Sequence, residues 1–360
     1  MNHNSMVTAK SALQFACGLQ MKNRFMLAPL TNLQSHEDGT LSDDELNWLT
    51  MRAKGQFGLV MTCATSVQYN GRSWKGQLGI HTDDHIEGHK RLTTALRELG
   101  SLSVVQLHHG GVRANAELTG EKVVAPSESE KYNARGLSTA EVEQLRDDFI
   151  AAAVRAKQAG YDGVEVHGAH GYMITQFIST DYNRRNDKYG GSLENRARLL
   201  FEIVDGIRKA CGNNFLLGVR LSPERFGMQL EEVVTISQQL IDSGQVDFLD
   251  ISLWDVFKPA EETGKPLMDY VTTLNKKEVK LTVAGNIHSN ATVSKVLDSG
   301  IDFVTIGKSA ILHHDFPVKV MNDPNFQSKE TPLAADYLRQ EGLGEAFVQY
   351  MRNWKGFVVD

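Results

Sequence analysis

The chain has 360 residues, of which 41% are hydrophobic and 23% charged, and its formal net charge is -6. This composition is typical of a soluble globular enzyme, and without a basic cluster it argues against nucleic acid as the main partner. No stretch approaches the roughly 20 apolar residues that span a bilayer, and residues 1–10 lack the apolar core of a signal peptide, so we expect no membrane partner and a cytoplasmic location.

The first predicted element is a hairpin at residues 15–22, with Gly18 in the middle. After it, eight short apolar runs alternate with amphipathic stretches, which is typical of a parallel sheet with crossover helices. We predict strands at residues 25–28, 58–62, 103–107, 163–167, 216–221, 248–252, 280–284 and 303–307. This spacing favours a closed (βα)8 TIM barrel whose N-terminal end the hairpin plugs. With no internal repeat or linker, residues 1–360 are interpreted as a single domain.

Two helix starts and one long loop stand out between these strands. Ser42 with Glu45, before the first barrel helix, and Ser138 with Glu141, after the third strand, have the spacing of capping boxes. Residues 110–137, after the third strand, are polar and lack clear periodicity. Because long ordered loops in compact enzymes often cover the active site, we predict a lid there.

The fourth predicted strand runs into the most informative segment of the chain. It ends at His167, and His170 and Tyr172 follow within a glycine-rich turn. A parallel barrel keeps its chemistry at such strand ends. Two histidines alone could be metal ligands, but no nearby cysteine or matching carboxylate supplies a third ligand, so we predict no metal site. A tyrosine in a barrel is more often a packing residue than a chemical one.

Two polar residues interrupt otherwise apolar strands. Gln106 follows two valines, and an unpaired buried amide would cost about 1 to 3 kcal/mol. Arg220 lies between Val219 and Leu221, where a buried charge needs an anion or a polarised partner. A satisfied core glutamine and a structural ion pair are the alternatives to a ligand-binding role.

Together these segments resemble the old yellow enzyme family of flavin mononucleotide (FMN)-dependent ene-reductases. The matching stretches are residues 23–31, 104–111, 167–192, 219–222 and 307–308, which occur in the family's order at barrel spacing. The resemblance implies an FMN cofactor, NADPH or NADH as electron donor, and a small electrophilic substrate such as an enone, a quinone or a nitro compound. The residues it implies for the flavin site are Ala28, Pro29, Leu30, Thr31, Ala64, Gln106, Arg220, Gly285, Asn286, Gly307 and Lys308.

The resemblance also implies the catalytic roles. His167 and His170 would donate hydrogen bonds to the oxygen of a bound carbonyl, nitro group or phenolate. Tyr172 would protonate the carbon next to the activating group while flavin N5 delivers hydride to the next carbon. Trp254, just beyond the sixth strand, is expected to contact substrate, with a surface or core role as the alternative.

The sequence departs from the family pattern at two positions. Lys308 stands where the family usually has arginine, and lysine offers a point charge instead of a bidentate fork, so phosphate binding is expected to be looser. Leu33 stands where one branch has a substrate-contacting tyrosine. We interpret residues 183–192, although they match the family, as a structural turn braced by ion pairs.

Larger relatives carry a cysteine-ligated iron–sulfur cluster and a second nucleotide-binding domain. Because Cys17, Cys63 and Cys211 form no Cys-x-x-Cys and the sequence ends at Asp360, we expect neither here. The apolar residues within 345–360 predict docking or a subunit contact, so a homo-oligomer is one expectation.

Two other functions remain open at this point. One is a TIM-barrel lyase or isomerase that forms a Schiff base through a lysine such as Lys280 or Lys308. The other is a protein that binds flavin without catalysis.

Overall fold

A closed barrel of eight parallel strands forms the centre of the computed structural model, which describes residues 8–360. Residues 1–7 lie outside the described residues. They include most of residues 1–10, for which the sequence predicts no signal peptide. The strands are β1 (Phe25–Leu27), β2 (Leu59–Ser66), β3 (Leu102–His108), β4 (Gly163–Gly168), β5 (Leu216–Leu221), β6 (Phe248–Ser252), β7 (Lys280–Ala284) and β8 (Phe303–Ile306). Neighbours pair in chain order and β8 closes onto β1, which confirms the predicted TIM barrel.

Helices surround the barrel and connect its strands. They are α1 (Asp43–Lys54), α2 (Ile86–Glu98), α3 (Ala116–Thr119), α4 (Thr139–Gln158), α5 (Met173–Ile178), α6 (Leu193–Cys211), α7 (Leu230–Ser243), α8 (Leu267–Thr272), α9 (Asn290–Asp298), α10 (Lys308–Leu312), α11 (Phe316–Asn322), α12 (Ala335–Gln340) and α13 (Glu345–Arg352). No helix within residues 8–360 is long and apolar enough to cross a membrane.

The two predicted capping boxes have different outcomes. At α4, the Ser138 hydroxyl accepts from the Glu141 amide at 3.2 Å, and the Glu141 carboxylate accepts from the Ser138 amide at 2.7 Å, so that box is confirmed. At α1, Ser42 accepts from the Glu45 amide at 3.1 Å, but the Glu45 carboxylate accepts from Asn32 at 3.1 Å. The prediction of a second capping box is therefore wrong for the hydrogen bond from the Ser42 amide to the Glu45 carboxylate, because that carboxylate is buried and bonded to Asn32 instead.

The predicted plug closes the N-terminal end of the barrel. Short antiparallel strands, Leu13–Gln14 and Gln20–Met21, flank a turn in which Gly18 has φ of 93°. Phe15 packs between Phe248 and Phe303, at ring-centroid distances of 6.1 and 5.9 Å. The barrel floor is therefore apolar, and a ligand must enter from the opposite end.

The long loop after β3 has more structure than its sequence indicates. It contains a 3-10 turn at Gly111–Arg113, helix α3, and the paired short strands Val124–Ala125 and Arg135–Gly136. Arg185 connects this loop to the turn at residues 183–192. Its Nη1 donates to Pro126 O at 2.7 Å, and its Nη2 forms an ion pair with Asp187 at 2.6 Å. The prediction of a braced structural turn at residues 183–192 is thus confirmed.

The C-terminal apolar residues pack mostly against their own chain. Phe347 of α13 lies edge-on to Trp48, with ring centroids 4.8 Å apart, and Met351 is buried. Trp354 remains 48% exposed. Most of the apolar set predicted for docking is therefore already covered within the chain.

Candidate active site

A cavity of about 560 Å³ lies at the carboxyl ends of the barrel strands, opposite the plug. The predicted ligand residues that line it are Ala28, Pro29, Leu30, Thr31, His170, Arg220, Trp254, Gly285, Asn286, Gly307 and Lys308. Loops form a larger cavity of about 860 Å³ around Tyr132 and Tyr182. We place the chemistry in the smaller cavity, because it is the one built from strand ends.

Four predicted site residues stand beside this cavity instead of lining it. The rings of His170 and Tyr172 lie 5.2 and 5.1 Å from that of His167. Gln106 points into the barrel and donates to Glu165 at 2.8 Å, and Ala64 is its register partner on β2. The three proposed catalytic side chains are therefore together, while Gln106 and Ala64 belong to the strand layer of β2 and β3.

His167, at the end of β4, is a neutral single donor. Its Nδ1 accepts a hydrogen bond from the Ala169 amide at 3.2 Å, so the ring proton belongs on Nε2. Burial, helped by the neighbouring His170, lowers the pKa of His167 well below its usual value. At neutral pH the side chain can therefore donate one hydrogen bond without carrying charge.

His170 is held by its backbone and by its ring. It has φ of 61°, its amide donates to Ser222 Oγ at 3.1 Å, and its carbonyl accepts from Arg113. Its Nε2 lies 2.8 Å from Ser252 Oγ, a partner that the sequence reasoning missed. Burial lowers the pKa of His170 to about 3. Because Nε2 is engaged with Ser252, His170 is positioned differently from the free donor that was predicted.

The Tyr172 ring lies between an aromatic neighbour and a cation. It packs edge-on to His108 at 4.4 Å, and the Arg113 guanidinium sits 4.4 Å from its centroid. Burial raises the pKa of Tyr172, and Arg113 opposes that shift. The phenol is therefore protonated at neutral pH, with a positive charge nearby that would stabilise the phenolate after proton loss.

The far end of the cavity suits an anion. Gly307 precedes α10, whose first amides have no acceptor within the helix. A Cβ on Gly307 would meet only Leu30 and Ala28, at 3.8 and 4.0 Å, which leaves space at that point. Lys308 lines the same region, and its Nζ donates to Thr331 at 3.0 Å.

A flavin nucleotide fits this arrangement. The apolar turn Ala28–Leu30 supplies a wall for a planar ring, buried Arg220 supplies a positive charge, and the α10 amides with Lys308 suit a phosphate. Gly285 has φ of 144°, and a Cβ there would stand 2.6 Å from the backbone of Trp254. Only glycine allows these two loops to approach so closely along the cavity edge.

The two remaining positions raised by the sequence, Lys280 and Leu33, do not line the cavity. Lys280 is the first residue of β7 and lies at the amino end of the barrel, opposite the cavity. The alternative in which Lys280 forms a Schiff base with a substrate is therefore wrong, because the side chain does not reach the cavity. Leu33 has φ of 57° and is not among the cavity residues.

The buried neutral histidines predict a specific loss of stability in acid. The folded pKa of His170 is about 3, against an ordinary value of 6.5, so the unfolded chain binds the proton first as pH falls. The stability contributed by neutral His170 is present above the unfolded pKa and decreases below it, by about 2 kcal/mol at about pH 5. Urea unfolding of wild type and His170→Gln near neutrality and near pH 5 measures the difference. Equal acid losses in both proteins would contradict this account.

Comparison with known proteins identifies the family of this chain. The profile of the NADH:flavin oxidoreductase / NADH oxidase family matches residues 13–326. The probable NADH-dependent flavin oxidoreductase YqiG of Bacillus subtilis (strain 168) is 37% identical over 358 residues, which cover 96% of this chain and 95% of that protein. Some relatives are longer: the chain spans 36% of the NADH:fumarate oxidoreductase of Klebsiella pneumoniae (strain 342).

Solved structures give the same result. The old yellow enzyme homologue from Zymomonas mobilis aligns with a TM-score of 0.80 and 27% identity, over 95% of this chain and 99% of that one. Morphinone reductase in complex with tetrahydroNAD aligns with a TM-score of 0.80 and 27% identity, over 98% of both chains. The chain therefore belongs to the NADH:flavin oxidoreductase / NADH oxidase family and is an FMN-dependent oxidoreductase of the old yellow enzyme type, with NADH or NADPH as its electron donor.

Proposed function

We propose that this enzyme reduces electron-poor alkenes, including enones and quinones, and nitro compounds. The observation that carries the proposal is the meeting of His167, His170 and Tyr172 at the edge of a cavity that fits FMN. A neutral donor next to a weak acid is the pair that such a reduction requires, because negative charge develops on the activating oxygen while a nearby carbon gains a proton.

The residues around the cavity divide the work of holding the cofactor. Ala28, Pro29, Leu30 and Thr31 would face the ring, Gly307 and Lys308 the phosphate, and Gly285 and Asn286 the neighbouring edge. Arg220 on β5 would stabilise negative charge near the pyrimidine side, with Gln106 on β3 and Ala64 on β2. Bound FMN supplies the hydride chemistry, and the protein supplies binding, orientation and charge.

His167 would polarise the substrate through its Nε2 proton. A preorganised donor of this kind stabilises the transition state by roughly 3 to 4 kcal/mol. His170, whose ring Ser252 fixes, would assist, and Trp254, which also lines the cavity, would contact the substrate. Tyr172 would then donate its phenolic proton to carbon, and Arg113 would stabilise the phenolate until solvent restores it.

The electron donor and the oxidising substrate would use the same pocket in turn. Tetrahydro-NAD in complex with morphinone reductase supports this arrangement by similarity. Alternating occupancy predicts parallel lines in double-reciprocal plots when nicotinamide and 2-cyclohexenone are varied together, and cyclohexanone as the product. Intersecting lines would contradict a shared pocket, and failure to form the saturated ketone from any enone would favour flavin binding without ene reduction.

Lys308 provides a separate test of how the cofactor is held. Lys308→Ala should weaken FMN binding by about one to two decades, because a hydrogen bond to a charged group contributes about 1.5 to 3 kcal/mol. Lys308→Arg should bind FMN at least as well as wild type, since a guanidinium can make a bidentate contact. Fluorescence titration of apo-protein measures both constants.

Riboflavin, which lacks the phosphate, is the control ligand for this titration. Its weaker binding should barely change in either variant. If Lys308→Ala weakens riboflavin and FMN equally, Lys308 does not contact the phosphate and instead holds the Thr331 segment.

The remaining expectations concern where and in what form the enzyme works. We propose a small-molecule substrate and a cytoplasmic enzyme. A homo-oligomer also stays a prediction, and Trp354, which is 48% exposed at the cavity rim after α13, is an apolar side chain available for such a contact. Light scattering of wild type and Trp354→Ser would measure that contribution.

A further inference from the structure

A buried layer of charged side chains crosses the barrel between the apolar floor and the cavity. Consecutive strands β4, β5 and β6 contribute Glu165, Arg220 and Asp250. Glu165 and Asp250 are fully buried, and Arg220 is 5% exposed. The barrel thus encloses two acids with one base, and the Arg220 side of this layer meets the cavity.

The hydrogen bonds of this layer leave two carboxylate oxygens without a donor. Gln106 Nε2 donates to Glu165 Oε1 at 2.8 Å, and Thr305 Oγ1 donates to Asp250 Oδ1 at 3.4 Å. Arg220 Nε lies 3.1 Å from Asp250 Oδ2 but is not aligned for a hydrogen bond. Glu165 Oε2 and Asp250 Oδ2 are both enclosed and lack a hydrogen-bond partner. The two carboxyl groups lie within hydrogen-bonding reach of each other. Two such acceptors without a donor indicate a proton between them.

Charge balance leads to the same conclusion and indicates where the proton belongs. If both acids were ionised, the layer would carry one uncompensated negative charge in the buried interior of the barrel. The charged group beside Asp250 is Arg220, and the side chain that donates to Glu165 is the uncharged Gln106. Burial and the adjacent Asp250 raise the pKa of Glu165 well above its usual value. Asp250, which has Arg220 as its counterion, is the acid that ionises.

We propose that Glu165 and Asp250 share one proton, carried mainly by Glu165, and that together they form a proton-binding pair beneath the flavin site. Asp250 then serves as the counterion of Arg220, and Glu165 donates to it. The consequence for catalysis rests on the proposed position of FMN against Arg220. If Glu165 were ionised as well as Asp250, its charge would repel the negative charge on reduced flavin. At a pH where Glu165 is ionised, we therefore expect Glu165 to take up one proton from solvent when hydride reduces the flavin.

The shared proton can be measured without flavin by infrared spectroscopy of the full-length protein. Wild type near neutral pH should show the carbonyl stretch of a protonated carboxylic acid. Glu165→Gln should remove it, because the amide replaces the protonated acid. Asp250→Asn should also remove it, because Glu165 then becomes the sole counterion of Arg220 and ionises.

Matched variants separate this pair from other buried acids. Glu45 is also fully buried, and burial raises its pKa, although the hydrogen bonds it accepts from Asn32, Ser35 and Cys63 oppose that shift. Any band that Glu45 contributes is identified as the one lost in Glu45→Gln. Glu45→Gln should therefore leave the band of the pair in place. A band that survives in Asp250→Asn would mean that Glu165 holds its proton alone, and a wild-type protein without the band would overturn the proposal even if no variant folds.

The coupling to the cofactor has its own measurement. In FMN-loaded wild type, the slope of the midpoint potential against pH should change at the pKa of Glu165, and this break should be lost in Glu165→Gln. An identical potential–pH curve in both proteins would contradict the coupling. If the protein did not bind FMN, this curve could not be recorded and the proposed function would fail, whereas the infrared result would still decide the shared proton.

Discussion

Tyr172→Phe is expected to slow the reduction of an electron-poor alkene by roughly 10²-fold or more, which is the range for loss of a positioned general acid. Phenylalanine keeps the packing against His108 and beneath Arg113 and removes only the hydroxyl that carries the proton. Reduction of the flavin by nicotinamide needs no such proton and should change by less than about threefold. Stopped-flow absorbance of each half-reaction measures the two effects separately.

Tyr182→Phe is the matched control for this substitution. Tyr182 stacks on Tyr132 in the larger loop cavity and does not line the cavity at the strand ends, so removal of its hydroxyl should leave both half-reactions unchanged. Equal slowing of the two half-reactions in Tyr172→Phe would remove the proton-donor role and leave Tyr172 as a packing residue.

His167→Ala is expected to weaken the binding of para-hydroxybenzaldehyde by about 2 to 4 kcal/mol, or roughly 30- to 1000-fold. The Nε2 proton of His167 stabilises a bound phenolate over the neutral phenol, so phenols should bind oxidised wild type with a long-wavelength charge-transfer band. The alanine variant should lose most of that band. Spectrophotometric titration of the FMN-loaded proteins gives both quantities.

Two other histidine variants define what the loss means. His167→Asn keeps a donor and should recover part of the affinity, and His36→Ala, which removes an exposed imidazole, should bind as wild type does. If His167→Ala binds the phenol as tightly as wild type, the anion site lies elsewhere, and the Ser252-bound His170 becomes the first alternative.

The barrel strands, the residues at their ends and the N-terminal hairpin could be predicted from the sequence. Eight apolar runs at regular spacing predict a barrel, and the residues at the carboxyl end of each predicted strand are expected to face one cavity. His167, Arg220 and Gly307 could be placed in this way, because parallel strands bring their carboxyl ends together. The plug could be predicted because an apolar hairpin must bury its aromatic residue, and the barrel floor is the surface available to it.

Other site residues leave no such signal. Tyr350 and Trp354 reach the cavity only because α13 docks beside it, and that position depends on the contact between Phe347 and Trp48 far away in the chain. Arg113 covers Tyr172 because the loop after β3 is folded back, and the spacing along the chain does not encode that fold. Tertiary packing decides such contacts, so the structure was needed to find them.

The pairing of side chains inside the barrel is equally invisible in the sequence. Glu45 has the spacing of a capping residue, yet its carboxylate is buried and bonded to Asn32. Glu165 and Asp250 stand far apart in the chain, and only the strand order β4–β5–β6 puts both of them beside Arg220. A local pattern could predict the element that carries each acid, whereas its partner depends on the closed barrel.

Anaerobic double-mixing absorbance of the FMN-loaded protein tests the central claim most directly. The account predicts that NADH or NADPH bleaches the flavin, that 2-cyclohexenone then restores the oxidised spectrum with formation of cyclohexanone, and that Tyr172→Phe slows only the second step. A flavin that is not bleached, or that stays reduced in the presence of enones and quinones until oxygen is admitted, would contradict the proposed reaction.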